Sequence, residues 1–454
     1  LMIILGTNSV KAAGGYDVDN SCRFNDGSSD YLTKSNSSAG STSKSTISLW
    51  TKRSGTSSYQ DIWESYNDGS NYFRFRFRDD NRLDMQSDIS NSTVFLKRTT
   101  RVFRDILAWY HICVKIDLTQ SNADKIKLFI NGTRETTFDN STDLTSTSQQ
   151  FVGGGGSYDF TIGRHPSSDA YYDGYMSEYV FVDGQNLAPT SFGVANSSGF
   201  WSPIPYTGTF GTNGFNLQFE NAAALGTDSS PNGNTFTVNN LTSIDQSTDY
   251  PEVNFATWNS LFRRGTITST FTDGNLTSNF AGGAQQFSLT TFGVTTGKWY
   301  AEIKWISAHG NGATATGILD MAYTGTADPN NAVTNAFGYF GSGTKNVSGS
   351  ASSYGASYGA GDIISLLINC DDNELIFQKN GTSQASGAAI DIIAGVTYGI
   401  FTSDYGSKVA ELNTGSPPYS ESGGNSDGNG YGNFKTAPPS GYFALNTKNL
   451  AEYG

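Results

Sequence analysis

The chain has 454 residues, room for two to four domains at roughly 100–200 residues each, and a net charge of −13. Apolar residues make up 36% and charged residues 15%, below the roughly 45–50% and 25% of an average soluble chain, yet aromatics reach 13%. Charge-driven disorder, a basic surface for nucleic acid and a membrane-spanning apolar run of about 18–20 residues are all excluded, and a turn-rich, all-β extracellular or virion protein is expected.

In chain order, residues 1–15 form an N-terminal segment. Leu1–Leu5 is apolar but too short for a signal peptide and has no basic flank. The opening Leu1-Met2 suggests a processed or partial product. Residues 16–184 are a strand-rich block. Phe73, Phe75 and Phe77 alternate with Arg74, Arg76 and Arg78, which predicts a strand with its arginines on a solvated face. Ile112, Val114, Ile116 and Leu118 share one face of another strand, opposite His111, Cys113, Lys115 and Asp117. Ile126, Leu128 and Ile130 run into Asn131-Gly132, a hairpin signal.

Residues 185–261 carry Pro189, Pro203, Pro205, Pro231 and Pro251, which interrupt any long strand. Their Phe192, Phe200, Trp201, Phe210, Phe215 and Phe219 predict an ordered extension packed between domains. A second strand-rich block covers 262–416. It places Ala301, Ile303 and Trp305 opposite Tyr300, Glu302 and Lys304, follows with the apolar run Ile363–Ile368, and ends a strand at Asn380-Gly381. Residues 417–454 open with Pro417-Pro418 and continue as a Gly/Asn/Ser-rich, loop-like tail. The fold class expected is all-β: two β-sandwich jelly rolls joined by an ordered extension.

Cys22, Cys113 and Cys370 are odd in number and lack CxxC spacing, so free thiols are expected. Nine Asn-x-Ser/Thr sequons fit either a glycosylated secreted protein or simple Asn/Ser/Thr abundance, and abundance is the preferred reading.

Several segments resemble known families. Ser21–Leu32 with Cys22-Arg23-Phe24, Thr46–Lys52, Trp109–Ile112, Lys127–Gly132, Phe160–Gly163 and Tyr172–Tyr179 resemble, in order, the strands of concanavalin A-like, laminin G-type jelly rolls. Gly297–Ile303, Gly361–Ser365, Ile376–Gly381 and Leu412–Gly415 resemble the SPRY domain, with Ala301 where that family usually has Trp. Arg104-Asp105, Phe192-Gly193, Trp201–Pro203, Tyr206–Phe215, Leu225–Ser230, Asp249–Pro251, Asn254–Thr257 and Ala444–Leu450 resemble tail-appendage and fibre-like proteins of marine tailed phages. In such proteins the last motif precedes further sequence, so the chain reads as a fragment. The resemblance implies a virion surface protein, assembled in the host cytoplasm and extracellular when mature.

Catalysis finds little support. His111, His165 and His309 are far apart in sequence, and no nucleophile elbow or E-x-D-x-E run is present. Asp371-Asp372-Asn373-Glu374 reads as a solvated turn. Calcium is the one cofactor considered: Asp26, Asp30 and Asp68, with Asn25 and Asn67, lie on expected turns, and laminin G-like domains commonly bind calcium at the sandwich rim. Their alternative role is simply to form turns. Glycan contact requires exposed aromatics beside Asp, Asn and Gly. Asp169, Tyr171, Tyr172 and Asp173 form one such loop, and Tyr354 and Tyr358 lie in a second. Subunit contact is the competing use of those aromatics.

The function expected is non-enzymatic adhesion on a virion surface. The partners are other virion proteins, further copies of the chain, and a host cell-surface glycan or protein. A structural decoration or connector protein is the alternative, and a secreted lectin-like module is the second.

Overall fold

The computed structural model describes residues 16, 18–36, 38–167, 170–196, 199–262, 269–329, 333–420 and 424–454, and the chain divides between Glu252 and Val253 into two compact units. Both are β-sandwiches, as the period-2 patterning predicts.

The first unit holds β1 (Ser21–Phe24), β2 (Tyr31–Lys34), β3 (Lys44–Arg53), β4 (Gln60–Asp68), β5 (Asn71–Phe77) and β6 (Arg82–Ile89). It continues with β7 (Ser92–Val102), β8 (Tyr110–Asp117), β9 (Ile126–Ile130), β10 (Thr133–Arg134), β11 (Phe138–Thr142) and β12 (Asp159–Ile162). Then come β13 (Gly174–Asp183), β14 (Gly193–Ala195), β15 (Trp201–Pro203), β16 (Phe215–Leu217), β17 (Thr237–Asn239) and β18 (Gln246–Ser247). One sheet has the order β10-β9-β8-β3-β13-β1-β18, with β16 also on β13; the other runs β11-β7-β6-β5-β4-β12-β2-β17.

Their inner faces interdigitate in one core. Leu49, Ile112, Val114, Ile116, Met176 and Phe181 from the first sheet meet Trp63, Phe73, Phe75, Met85, Phe160 and Ile162 from the second. Each such side chain contributes about 1.5–3 kcal/mol on burial. The β9–β10 hairpin turns on Asn131 and Gly132, at φ 48° and 75°, the left-handed pair that a two-residue turn requires.

The segment expected as a separate extension is divided in the structure. Residues 185–252 belong to the first unit, where β16, β17 and β18 lengthen its sheets. The reason lies in β13 and β8, whose outward Val180, Val182 and Cys113 are also apolar and are buried under Phe192 and Phe210. His111 on that same outer face bonds Trp201 Nε1 at 2.9 Å, and burial pushes its pKa down to about 3. Residues 253–261 belong to the second unit, where Phe255 and Trp258 are buried.

The second unit holds β19 (Thr270–Thr272), β20 (Thr277–Phe280), β21 (Gln286–Leu289), β22 (Lys298–Ser307), β23 (Ala315–Asp320), β24 (Ala336–Phe340), β25 (Thr344–Val347) and β26 (Ser350–Ser353). It ends with β27 (Ile363–Asn369), β28 (Glu374–Lys379), β29 (Thr382–Ser383), β30 (Ile390–Asp391), β31 (Tyr398–Asp404), β32 (Lys408–Asn413), β33 (Phe443–Ala444) and α1 (Thr447–Tyr453). Its sheets run β19-β20-β32-β22-β27-β28-β29 and β21-β31-β23-β24-β25-β26.

The 417–454 tail is more than a loop. Buried Glu302 accepts from the backbone N–H groups of Lys435 and Thr436 at 2.9 and 2.8 Å, and from Asn413 Nδ2 at 3.1 Å. That carboxylate fastens the tail onto β22, and β33 then pairs with the same strand. Asn446 caps α1 by accepting from Lys448 and Asn449 N–H. Cys22 and Cys113 are buried and Cys370 is half-buried, and all three are free thiols. Among the described residues no helix is long and apolar enough to cross a membrane.

Candidate functional site

The outer face of the second sheet of the first unit is polar, and its chemistry begins with one irregularity. In β4 the pairing with β5 slips between Asp61 and Trp63: Asp61 faces Arg76, Trp63 faces Phe75 and Glu64 faces Arg74. The extra residue, Ile62, turns into the core together with Trp63. Asp61 and Glu64, which strict alternation places on opposite faces, therefore emerge on the same one.

Registers carry these positions across the sheet. One polar row runs Gln86, Arg74, Glu64, Thr161, Thr33 and Thr237 over β6, β5, β4, β12, β2 and β17. A neighbouring row runs Asp61, Arg76, Asp84 and Arg98. The first row ends in an open cleft of about 340 Å³, whose lining includes Thr33, Lys34, Asn213, Asn234, Thr235 and Thr237.

The arginines do not lie on a solvated face, contrary to the alternation reading. Arg74 is 8% exposed, with its guanidinium 5.0 Å from the Tyr72 ring, and Arg76 lies 4.4 Å from the Tyr59 ring. They were drawn inward by acids that the sequence pattern did not reveal. Asp61 and Glu64 are both fully buried. Burial, with Glu64 beside it, pushes the Asp61 carboxyl up to about 7, and burial holds Glu64 well above the usual carboxylate range.

His165, on the turn after β12, places Nδ1 2.8 Å from Glu64 Oε2, and burial lowers its pKa to about 4. Both directions favour a neutral pair with one proton between them. Among the described residues, Asp61 Oδ1 and Oδ2, Glu64 Oε1, Arg74 Nε and Arg76 Nε have no hydrogen-bond partner. Half-exposed Tyr66 and Tyr171 flank the site, and Arg164 lies 4.7 and 5.4 Å from the rings of Tyr31 and Tyr171.

Of the residues expected to contact glycan, Asp169 lies outside the described residues. Tyr171 is half-buried against Tyr31, ring centroids 6.2 Å apart. Asp173 is half-buried, and its carbonyl accepts from Ser54 N–H at 3.0 Å. Tyr172 is not a stacking platform: it is fully buried, bonded to Thr51 Oγ1 at 2.5 Å and donating to the Lys52 carbonyl at 3.0 Å. Tyr358 is buried and donates to the Tyr339 carbonyl at 2.6 Å, while Tyr354 packs at 5.3 Å from the Tyr339 ring. Tyr172, Tyr354 and Tyr358 are therefore core residues of their sandwiches.

The three aspartates considered for calcium do not gather at one point. Asp30 is buried and accepts from Asn25 N–H at 2.9 Å in the turn between β1 and β2, where burial pushes it up to about 6. Asp26 is exposed in that turn. Asp68 accepts from Ser70 N–H at 2.8 Å in the separate β4–β5 turn. Among the described residues no group of three or more His, Cys, Asp or Glu is arranged to hold a metal ion. Asp371 and Asp372 are exposed, as a solvated turn requires.

The second unit also holds a histidine–carboxylate pair. His309 Nδ1 lies 2.6 Å from Asp404 Oδ1, Thr314 donates to Asp404 Oδ2 at 2.6 Å, and the Tyr405 ring stacks on His309 at 4.1 Å. Among the described residues no Ser hydroxyl or Cys thiol is bonded to His309.

Sequence reasoning missed Asp61, Glu64 and His165. A local signal existed for two of them: the adjacent apolar pair Ile62-Trp63 between two acids breaks the alternation, as a bulge does. His165 comes from about 100 residues away, and only the register of β12 on β4 brings it over Glu64.

Comparison with known proteins gives a match for the part that contains Asp61, Glu64 and His165. Residues 26–186 match the family model described as the concanavalin A-like lectin/glucanases superfamily, of laminin G type. No curated protein matches the sequence. Among solved structures, the mouse laminin α1 chain domains LG4-5 are similar at 10% identity, covering 88% of this chain and 90% of that one, with a TM-score of 0.30. A heptameric SAP-like pentraxin from Limulus polyphemus is similar at 12% identity over 38% of this chain and 80% of that one, TM-score 0.28. A human SPRY domain is similar at 15% identity over 32% of this chain and 94% of that one, TM-score 0.25. Residues 26–186 of the first unit are thus similar to that laminin G-type, concanavalin A-like family; Asp61, Glu64 and His165 lie inside the matched stretch, and the cleft residues Asn213, Asn234, Thr235 and Thr237 lie beyond it.

Proposed function

We propose that the chain is a non-enzymatic recognition protein that binds glycan along the outer face of the second sheet. The observation that carries this reading is the polar row from Gln86 to Thr237, which runs from buried Arg74 and Glu64 into an open polar cleft of hydroxyl and amide groups. A sugar hydroxyl both donates and accepts. The hydroxyls of Thr33, Thr235 and Thr237 and the amide of Asn234 offer both donors and acceptors at the cleft, which a polyol satisfies together, whereas a simple anion pairs only with the donors. Half-exposed Tyr66 and Tyr171 supply the flanking aromatic surface.

The motif resemblance to tailed-phage appendage proteins supports placing this activity on a virion surface, as a tail fibre or appendage. Several copies beside other virion proteins would multiply weak contacts to a host-cell glycan.

A glycan array with the full chain tests the reading. Exposed Thr237 lines the cleft mouth, and Thr237→Arg fills it without touching the core. Binding is expected to fall at least tenfold in Thr237→Arg and in His165→Ala, with melting temperature little changed in the first. Unchanged binding in both variants refutes the site. Release of reducing sugar from a bound glycan refutes the non-enzymatic part.

A further inference from the structure

We propose that Lys52 and Asp249 are joined by an intramolecular amide bond, so that the C-terminal stretch of the first unit is covalently tied to its β3 strand. Lys52 Nζ lies 2.5 Å from Asp249 Oδ2, and each side chain is 1% exposed. An aromatic box surrounds them. Lys52 Nζ is 4.4 Å from the Tyr175 ring and 5.8 Å from that of Trp109, and Trp50, Trp109 and Tyr175 form one buried cluster.

The chemistry needs a neutral amine, a protonated carboxyl and the absence of bulk water. Burial lowers the Lys52 pKa despite the attraction of Asp249, which favours the free amine. A proton passed from the ammonium to the carboxylate produces both neutral partners at once. The Nζ lone pair then attacks Asp249 Cγ, an amine proton moves to Oδ2, and the Cγ–Oδ2 bond breaks to release water. Trp109 Nε1 donates to Oδ1 at 3.0 Å, and so holds the oxygen that remains as the amide carbonyl and stabilises its charge during attack. The balance is amine plus acid to amide plus water, with no oxidant or other reactant.

The backbone holds the two groups for that encounter. Asp249 N–H donates to Ser247 Oγ at 3.1 Å, and the Asp249 carbonyl accepts from Ser21 Oγ at 2.5 Å. The bond closes a loop between positions 197 apart in sequence, a long loop whose cross-linking removes much entropy from the unfolded chain.

Denaturing mass spectrometry of the purified full chain reads the result directly. The wild-type chain is expected to weigh one water less than its sequence, and a protease digest to yield one branched peptide joining the segments around Lys52 and Asp249. Lys52→Arg keeps the positive charge but lacks the primary amine, and is expected at full sequence mass. A wild-type chain at full mass, or a water loss that maps to any other pair of residues, overturns the proposal. Because the wild-type mass is itself decisive, a variant that fails to fold leaves the test intact.

Discussion

Asp61 offers the sharpest quantitative test of the site. Burial with Glu64 nearby pushes its folded pKa up to about 7, against about 3.9 in an unfolded chain. A carboxyl held up binds its proton more tightly in the folded state. Its contribution is therefore intact below pH about 4, declines as pH rises towards about 7, and is fully lost above that. About three units at about 1.4 kcal/mol each give roughly 4 kcal/mol of stability lost across the window.

Asp61→Asn keeps the shape and cannot ionise. Urea unfolding of both proteins from pH 4 to pH 8 isolates the residue as a difference. That difference matters because His165, held down to about 4, contributes with the opposite sign. The variant is expected to gain on wild type by about 1.4 kcal/mol per pH unit through the window. At pH 8 it should be the more stable protein by about 4 kcal/mol relative to the difference at pH 4. Parallel pH profiles would refute the reasoning, since they would mean that Asp61 ionises as freely in the fold as in the unfolded chain.

Other perturbations reach other parts of the molecule. Glu302→Ala removes the acceptor of two tail N–H groups and is expected to cost about 3 kcal/mol or more; proteolysis within 424–440 should accelerate, and an unaltered digestion pattern would show that the tail is held elsewhere. Gly132→Ala forces a side chain into the left-handed region at φ 75° and against the Trp201 ring. A loss above about 1–2 kcal/mol in thermal unfolding is expected from the conformation alone. Tyr172→Phe removes a buried hydroxyl bonded to Thr51 and the Lys52 carbonyl, and should cost about 1 kcal/mol in urea unfolding while glycan binding stays unchanged. Tyr171→Ala, half-exposed beside Arg164, should show the reverse on the glycan array: weaker binding with an unchanged melting temperature.

The strands and hairpins were legible because period-2 alternation records a half-buried strand directly and Asn-Gly records a tight turn. Ile112 to Leu118 face the core as expected, and Asn380 and Gly381, at φ 49° and 80°, turn β28 into β29. What failed were readings of side-chain environment, which depends on partners distant in sequence. Arg74 and Arg76 have the pattern of a solvated face, yet their neighbours across the bulge are two buried acids. Tyr172 and Tyr358 have the neighbours of loop aromatics, yet their hydroxyls meet backbone carbonyls inside the sandwich. The Gly- and Asn-rich tail is held by backbone N–H groups of Lys435 and Thr436 on Glu302 and by side chains such as Asn449 on Asp427, pairings that composition cannot distinguish from a free loop.

The two outer faces of the first unit explain why recognition is assigned to only one of them. On the first sheet, Phe192 and Phe210 cover Val180, Val182 and Cys113, and Trp201 caps His111, so that face is filled by the chain itself. The second sheet keeps charged and hydroxylated side chains outward, and the demand they place on partners is uneven. At β6 it is met: Asp84 accepts from Arg98 Nε at 2.8 Å and from Arg78 Nη1 at 3.2 Å. At β4 it is not, because Arg74 and Arg76 lie over tyrosine rings while three oxygens of Asp61 and Glu64 have no partner among the described residues. Leaving buried polar atoms unpaired destabilises the fold by about 1–3 kcal/mol each. Those atoms are closed to solvent, so a ligand meets instead the hydroxyl and amide groups where the same row opens at Thr33, Asn234 and Thr237, and that is where affinity is expected to concentrate.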